Sequence, residues 1–308
     1  MEPITFPQLS ELEALRGNPV IVYASMISDD SVRVLYECLR KRGRAEHLDL
    51  VLSTMGGTVT TTRQLALLLH EYTQHLTILV PYQARSAGTL LCLSAHELVL
   101  GPMAGLGPID SHVGSAGPTP PDAPGMISAE DIRAFRLMAE DWFGVTREED
   151  RLQVLALVGQ RIFPTSLSSF YRFDKLIRKI AHELLGYQLP NTEASTRQRI
   201  VNQLVEGYYS HDYIISRTEA RELGLQVQFA SSQEEKLLWD ILQACRAQIA
   251  EHPGQAEQET VGLIVSTDFY AHEIHRWINV ASWQQDGSRQ GDTSQPKKIR
   301  DIRWEIAM

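Results

Sequence analysis

The feature that most constrains the fold is the alternation of short apolar runs with amphipathic stretches in the first hundred residues. The apolar runs predict four strands, at residues 18–26, 47–54, 76–82 and 97–100. Apolar side chains recur at helical spacing after the first two runs, and small residues lead into another helix after the third. Strands that alternate with helices imply parallel β-α units with right-handed crossovers. The sequence therefore predicts an α/β fold with helices flanking a sheet.

The rest of the chain predicts a long loop, then mostly helices, then a smaller C-terminal region. Residues 101–125 are rich in Gly and Pro and predict a long loop, and such loops are usually functional or mobile. Helical patterns follow at residues 128–143, 147–161, 167–185, 195–206 and 219–223, with a strand at 225–229. Composition shifts after about residue 231, which predicts one domain over residues 1–230 and an extension over residues 231–308. Within the extension we expect a helix at 233–250 and strands at 261–266 and 299–307.

Charge and hydropathy narrow the function classes. Asp and Glu number 38 against 29 Lys and Arg, and the formal charge of −9 gives no general reason to bind nucleic acid or an anionic membrane. No apolar run reaches the roughly 18 residues of a membrane-spanning helix, and the first residues lack the pattern of a secretory signal. We therefore expect a cytoplasmic protein without a membrane span. Cys38, Cys92 and Cys245 are widely spaced, which argues against disulfides and structural zinc and favours reduced thiols.

Two small-residue segments follow strands, where β-α units place active sites. Gly56 and Gly57 leave backbone N–H groups free to approach a substrate closely, as an oxyanion hole requires, although a tight turn has the same composition. Ser86 begins a predicted helix, so its hydroxyl lies near the positive end of the helix dipole, and the N–H of Ala87 can face a developing oxyanion. The alternative for Ser86 is an ordinary N-cap serine.

Two histidines are candidate general bases. His112 lies in the segment Asp110-Ser111-His112 of the Gly/Pro-rich loop, and it can act only if it reaches the serine in space. The alternative for His112 is a solvated loop histidine. His211 directly precedes Asp212 and is a second candidate base or a substrate contact. Its alternative is a strand-edge histidine beside a structural aspartate.

Together these motifs resemble a known superfamily. A strand ending in Gly-Gly, a strand leading into Ser-Ala-Gly about thirty residues later, and a Gly-rich loop are similar to the ClpP/crotonase superfamily, in particular its serine peptidases of the ClpP and signal-peptide-peptidase (SppA) type. The runs LDLVLSTMGGTV, ARSAGTLLCLSAHELVLGPMAGLGPID and YYSHDYIISRTEARELGLQV look like the ClpP-like family called serine dehydrogenase proteinase. The resemblance covers about residues 18–229. It implies a ClpP/crotonase-like fold of repeated β-β-α units with helices flanking the sheet.

The resemblance also implies roles for individual residues. Ser86 falls on the nucleophile of the family, and the amides of Gly57 and Ala87 fall where it forms the oxyanion hole. His112 lies about as far beyond Ser86 as the histidine of ClpP does, and Asp212 begins a stretch that resembles the one opening with the triad aspartate. The implied mechanism is a Ser-His-Asp triad that needs no metal or organic cofactor.

The chain also departs from the family pattern. Met55 stands where ClpP usually has proline, and the helical segment between the loop and Asp212 is about twice as long as in ClpP. Relatives of the SppA type use a lysine base, and Lys175 and Lys179 are the candidates for that role here. On an amphipathic helix they are more simply solvated charges.

We therefore expect a serine peptidase that acts on peptide or protein substrates. The alternatives are a catalytically degenerate ClpP-like scaffold or regulator and a crotonase-type acyl-thioester enzyme. Relatives of this fold assemble into oligomers, and the apolar helices of residues 132–185 are candidates for such an interface. The chain has no Walker motif, so an ATPase or regulatory partner would be a separate protein.

Overall fold

The structure is a computed structural model that describes residues 6–110, 112–114, 126–250, 258–279 and 298–307. Its helices are α1 (Pro7–Arg16), α2 (Asp29–Arg42), α3 (Val59–Tyr72), α4 (Ala87–Cys92), α5 (Ala129–Phe143), α6 (Glu148–Arg161), α7 (Pro164–Gln188), α8 (Ala194–Glu206), α9 (Arg217–Leu223) and α10 (Ser232–Arg246). Its strands are β1 (Val20–Ala24), β2 (Ala45–Ser53), β3 (Thr73–Val80), β4 (Gln83–Ala84), β5 (Glu97–Leu100), β6 (Gly105–Leu106), β7 (His112–Gly114), β8 (Met126–Ser128), β9 (Ile215–Ser216), β10 (Val227–Phe229), β11 (Gln258–Ser266), β12 (Phe269–Asn279) and β13 (Lys298–Ala307).

A large sheet of eight strands organises the molecule, in the order β10-β5-β3-β2-β1-β11-β12-β13. The first five strands are parallel to their neighbours, and β11, β12 and β13 continue the sheet in antiparallel pairing. Helices flank this sheet, so the predicted α/β class is confirmed.

Both faces of the parallel strands are buried, which explains why their sequences read as continuous apolar runs. Every residue of β1 is buried. Alternate side chains point to opposite faces, so Ile21 and Tyr23 join the core beneath α2, α3, α4 and α7, while Val20 and Val22 join the core beneath α1 and α10. This packing on both faces fixes the position of the sheet's carboxyl edge, where the candidate site lies.

A small sheet of three strands lies beside that edge, in the order β4-β6-β9. It is joined to the end of β2 because Thr54 N donates to Gln83 O and Arg85 N donates to Thr54 O, each at 3.0 Å. β4 and β6 are parallel, and β9 is antiparallel to β6. The residues that follow β4 and β6 and those that precede β9 therefore meet at one end of this sheet.

Several features differ from the sequence expectations. The predicted loop over residues 101–125 contains β6 and β7, and its remainder from residue 115 lies outside the described residues. α1 and β12 were not predicted. The domain boundary at residue 230 stays a prediction, and β11 beyond it pairs directly with β1. The C-terminal strands are thus part of the main sheet.

Candidate active site

Ser86 lies in a tight turn between β4 and α4 with a strained backbone. Its φ of 50° and ψ of −116° place a non-glycine residue at positive φ. Such strain persists only where the surrounding structure enforces it, and it is concentrated at functional sites. Ser86 occupies the N-cap position of α4, yet its side chain makes no capping hydrogen bond. Ser86 is half-buried, and its hydroxyl does not serve as an ordinary helix cap.

The loop after β2 requires its two glycines because of what they touch. Gly57 has a φ of 148°, and a Cβ added there would lie 2.1 Å from Ile27 O. Gly56 has a φ of 115°, and a Cβ there would lie 3.0 Å from Ser86 Cβ. Ile27 N donates to Gly56 O at 2.8 Å, and Thr58 N donates to Ile27 O at 3.0 Å. The glycine loop is therefore fastened to Ile27 on one side and packs against Ser86 on the other.

The amides of Gly57 and Ala87, which are expected to form an oxyanion hole, lie where the glycine loop packs against the turn at Ser86. The Gly56 N–H donates to Thr54 Oγ1 at 3.1 Å, and the bonds to Ile27 use the Gly56 carbonyl and the Thr58 amide. Among the hydrogen bonds of the described residues, none uses the Gly57 N–H. The Ala87 N–H begins α4, where helix geometry supplies no acceptor. A Cβ on Gly56 would lie 3.2 Å from Ala87 N, so Gly56 directly adjoins the second amide.

A histidine-aspartate pair lies at the same end of the small sheet. His211 Nδ1 donates to Asp110 Oδ1 at 2.5 Å, although the two residues are 101 positions apart. Asp110 follows β6 and its side chain is 8% exposed, whereas His211 precedes β9 and is half-buried. A carboxylate bound to Nδ1 orients the ring so that Nε2 is the nitrogen able to act on a serine hydroxyl.

Two contacts connect the segments that carry this pair to the turn at Ser86. Arg85 Nη2 lies 3.4 Å from the carbonyl oxygen of His211. On the other side, a Cβ added to Gly107 would lie 3.4 Å from Ser86 N, and Gly107 precedes Asp110 by three residues. Both segments that carry the pair therefore contact the turn that presents Ser86.

Two other predicted residues have different surroundings. The Asp212 side chain is 93% exposed and lies 3.4 Å from Arg85 Nη2. His112 begins β7, where it pairs with Ser128 of β8, and its side chain lies outside the described residues. The contact between His112 and Asp212 stays a prediction. Lys175 is exposed on α7 with Nζ 5.4 Å from the centre of the Tyr171 ring, and Lys179 is exposed on the same helix.

The sequence pattern indicates no role for Asp110. In the segment Asp110-Ser111-His112 it indicates chemistry for the histidine alone. The available signal was the position of Asp110 soon after a Gly-Leu-Gly segment in a loop near the predicted strands. The position of Asp110 alone does not indicate a role, because the histidine that it contacts, His211, lies 101 positions away in the sequence.

The thiols do not supply an alternative nucleophile. Burial raises the pKa of the Cys38 and Cys245 thiols to about 12, and burial also raises the pKa of Cys92 on α4. All three side chains are buried and free of disulfides. Because the thiolate is the reactive form, these cysteines pack rather than react.

The described residues lack two features, a cluster of metal ligands and a membrane-spanning helix. Nowhere in them do three or more His, Cys, Asp or Glu side chains gather as metal ligands would. None of their helices combines the length and the apolar character needed to cross a bilayer.

Comparisons with known proteins agree with the motifs. Residues 6–125 match the model of the family described as ClpP-like SDH-type serine proteinase, which confirms the resemblance to ClpP-like serine peptidases. The chain is also similar to two uncharacterized proteins of Methanocaldococcus jannaschii. It is 27% identical to the first over 224 residues, which cover 73% of this chain and 67% of the relative. It is 24% identical to the second over 215 residues, which cover 70% of this chain and 63% of the relative. The chain thus spans about two thirds of the length of both relatives.

Among solved structures, the chain is similar to a mutant of the 1510-N membrane-bound stomatin-specific protease. The identity is 15%, the TM-score is 0.41, and the superposition covers 69% of this chain and 80% of that chain.

Proposed function

We propose that this chain, whose residues 6–125 match the ClpP-like SDH-type serine proteinases, is a peptidase with Ser86 as its nucleophile and the His211-Asp110 pair as its proton-transfer machinery. The observation that carries the proposal is the contact between His211 Nδ1 and Asp110 beside the strained turn at Ser86. A serine hydroxyl is a weak nucleophile until a neighbouring base takes its proton. The family match favours this chemistry over that of an acyl-thioester enzyme.

The proposed reaction proceeds in two halves. Ser86 Oγ attacks the scissile carbonyl carbon while His211 Nε2 accepts the hydroxyl proton, and Asp110 stabilises the imidazolium that forms. The imidazolium then gives its proton to the leaving amine as the C–N bond breaks, which leaves an acyl-enzyme on Ser86. A water molecule attacks the acyl carbon with His211 again as base, which releases the acid and restores the serine.

The amides of Gly57 and Ala87 hold the oxyanion in this proposal. Each tetrahedral intermediate places a negative charge on the former carbonyl oxygen, and fixed N–H donors stabilise it most because they need no rearrangement. One such donor is worth roughly 100-fold to 1,000-fold in rate. The contact between Gly56 and Ser86 supports this role, because it brings the glycine loop against the nucleophile.

A triad of Ser86, His112 and Asp212 is the alternative arrangement. The exposure of Asp212 weighs against it, because water screens an exposed carboxylate and weakens its hold on an imidazole. The Asp110 carboxylate is shielded and already contacts a histidine. For these reasons we prefer His211 and Asp110.

The first test is labelling with a fluorophosphonate, read by intact mass spectrometry. We expect one added label on the wild type and none on Ser86→Ala, since the probe reacts with activated serines. Labelling by His211→Gln and Asp110→Asn is expected to fall at least about 100-fold, because the serine loses its base or the base loses its orientation. The matched controls His112→Gln and Asp212→Asn are expected to stay within about twofold of the wild type.

The same variants separate the hypotheses. Loss of labelling in His112→Gln and Asp212→Asn, with normal labelling in the other pair, would establish the alternative triad. Unchanged labelling of Ser86→Ala would overturn the assignment of the nucleophile. A wild type that takes no label would favour a degenerate scaffold.

Exposed apolar side chains around the site support a peptide substrate with apolar residues. Met26 adjoins Ile27, Met55 adjoins Gly56, and Ile214 lies against Gly105 of β6; all three are exposed. An extended peptide that crosses the site would bury these side chains. We propose that such a peptide or protein segment is the substrate class.

We further propose that the chain forms a homo-oligomer through the helices expected for that role. Several large apolar side chains of α5, α6 and the connection to α7 are exposed, namely Trp142, Phe143, Leu152, Leu155, Leu157 and Phe163. Several large apolar side chains exposed on neighbouring elements support an interface at these helices.

A further inference from the structure

We infer that the C-terminal strands form part of the active-site machinery, with Glu273 of β12 positioning the oxyanion loop through the hydroxyl of Ser25. The inference rests on the proposed function, because it assigns Glu273 and Ser25 as positioning residues for the Gly57 amide. It gives a role to the region after residue 230, which the peptidase motifs leave without one.

The link crosses three strands of the main sheet. Ala24 of β1 pairs with Leu263 of β11, so the next residue, Ser25, lies opposite Gly262. Gly262 in turn pairs with Glu273 of β12. Ser25 Oγ donates to Glu273 Oε2 at 2.8 Å, across the intervening strand.

Gly262 is what permits this contact. A Cβ at Gly262 would lie 2.3 Å from Ser25 Oγ and 3.0 Å from Glu273 Oε2, so the two side chains fill the space that any other residue would occupy. The register between β11 and β12 shifts between Thr260 and Gly262. Such irregularities in strand pairing often occur beside a glycine. The glycine at position 262 of β11 therefore allows Ser25 to reach Glu273.

The carboxylate of Glu273 is buried and held from both sides. Ser25 is 6% and Glu273 is 7% exposed. The second carboxylate oxygen lies 2.8 Å from Nε2 of His275, which is also buried. Burying an ionisable group in a sheet is strongly unfavourable unless hydrogen bonds compensate. An apolar residue would cover the sheet more simply, so the polar group points to a role other than packing.

Ser25 begins the short segment that fastens the glycine loop. The Tyr23 hydroxyl donates to Met26 O at 2.9 Å, and Ile27 exchanges hydrogen bonds with Gly56 and Thr58. The chain from Ser25 to Ile27 is thus held at each of its three residues. Because Gly57 is pressed against Ile27 O, a displacement of Ile27 displaces the Gly57 amide. Oxyanion donors must be placed within about 0.5 Å.

The activity arm of the test uses the fluorophosphonate, which places its own oxyanion in the same site. We expect Ser25→Ala and Glu273→Ala to lower the limiting rate of labelling about tenfold. The probe concentration that gives half of this limiting rate is expected to stay within about twofold of the wild-type value. Glu273→Gln is expected to keep the wild-type rate, because its amide oxygen still accepts from Ser25. The matched control is Thr73→Val, which removes a buried hydroxyl that donates to Glu46 O at 3.0 Å, at the amino edge of the sheet.

The second arm does not depend on catalysis. Hydrogen exchange of the Ile27 and Thr58 amides, read by mass spectrometry with fragmentation, is expected to quicken at least about tenfold in Ser25→Ala and Glu273→Ala. Glu273→Gln and Thr73→Val should exchange at the wild-type rate. Exchange and labelling in Ser25→Ala that match those of Thr73→Val would overturn the inference. If the wild type takes no label, the proposed function fails, and exchange alone then supports or overturns the link from Glu273 to the glycine loop.

Discussion

At the scale of single residues, the candidate site depends on backbone conformations that side chains disfavour. Ser86 holds a positive φ that costs of order 1–3 kcal/mol, and Gly56 and Gly57 hold values that suit only glycine. The Ser86 side chain makes no capping hydrogen bond at the start of α4, and Gly56 packs against the same turn. The contacts with Ile27 and Ser86 enforce both conformations.

Gly57→Ala tests the close approach to Ile27. The added Cβ would meet a backbone carbonyl oxygen at 2.1 Å, so the loop must move away from Ile27. We expect the free energy of unfolding in urea to fall by about 2 kcal/mol or more and labelling of Ser86 to be lost.

The matched control for that variant is Gly159→Ala in α6, where a Cβ meets nothing within 4 Å. Because alanine favours the helix, this change is expected to raise the free energy of unfolding by about 0.5–1 kcal/mol and to leave labelling unchanged. Equal effects of the two substitutions would show that the contact with Ile27 is not what requires glycine at position 57.

At the scale of elements, the amino edge of the sheet carries a stack of histidine rings. His75 at the start of β3 stacks on His96 with ring centroids 4.7 Å apart, and His70 of α3 meets His96 edge-on at 5.3 Å. His70 Nε2 donates to Ser94 O at 2.8 Å, and Leu76 N donates to His96 Nδ1 at 2.9 Å. These bonds join α3, β3 and the turn before β5.

The stack makes stability depend on pH. Burial lowers the pKa of His70 and of His96 below the ordinary value of 6.5, and the neighbouring histidines lower that of His96 further. The unfolded chain therefore binds protons more readily than the folded one in this range, and the free energy of unfolding falls as the pH drops from about 6.5. Urea titrations between pH 8 and pH 5 measure this loss.

Two substitutions isolate the contribution of the stack. His70→Gln keeps a donor for Ser94 O and His96→Asn keeps an acceptor for Leu76 N, but neither new side chain titrates. We expect the double variant to match the wild type at pH 8 within about 1 kcal/mol and to lose less stability on acidification. An unchanged pH dependence would assign the acid loss to other groups.

At the scale of the whole molecule, the main sheet unites the two parts of the chain. The parallel strands and their helices present the site, and β11 to β13 extend the sheet from β1. The helices α5 and α6 project apolar side chains outward, and the described residues of α6 include none that is buried. An amphipathic helix with no buried residue requires another partner for its apolar face.

The proposed oligomer is tested by size exclusion with light scattering. We expect the wild type to be larger than a monomer and the double variant Trp142→Ser, Phe163→Ser to shift toward the monomer, because both side chains are largely exposed and their loss costs little folding stability. The control Leu15→Glu alters an apolar side chain on α1 that is 42% exposed, and it is expected to leave the assembly intact. A monomeric wild type would contradict an interface between copies of this chain.

Much of the architecture could be read from local patterns. The helix predicted after the first strand is α2, the strand predicted at residues 97–100 is β5, and the strand predicted at residues 299–307 is nearly all of β13. In α1 the first residue is a proline and its charged and apolar residues alternate closely, so the helical period was missed. The strand β12 carries two histidines and a glutamate on a buried sheet, a composition that hides its strand character.

By itself, the sequence determined the alternation of the first parallel strands with their helices, the glycine pair at the end of β2 and the serine at the start of α4. These features are local, because the side-chain period and the turn residues lie within a few positions of one another. Only the tertiary structure decided that His211 meets Asp110 and that Ser25 meets Glu273, 248 positions away. Such contacts form because segments that are distant in the sequence come to lie beside one sheet. Strand pairing and core packing across the whole fold set which residues then meet.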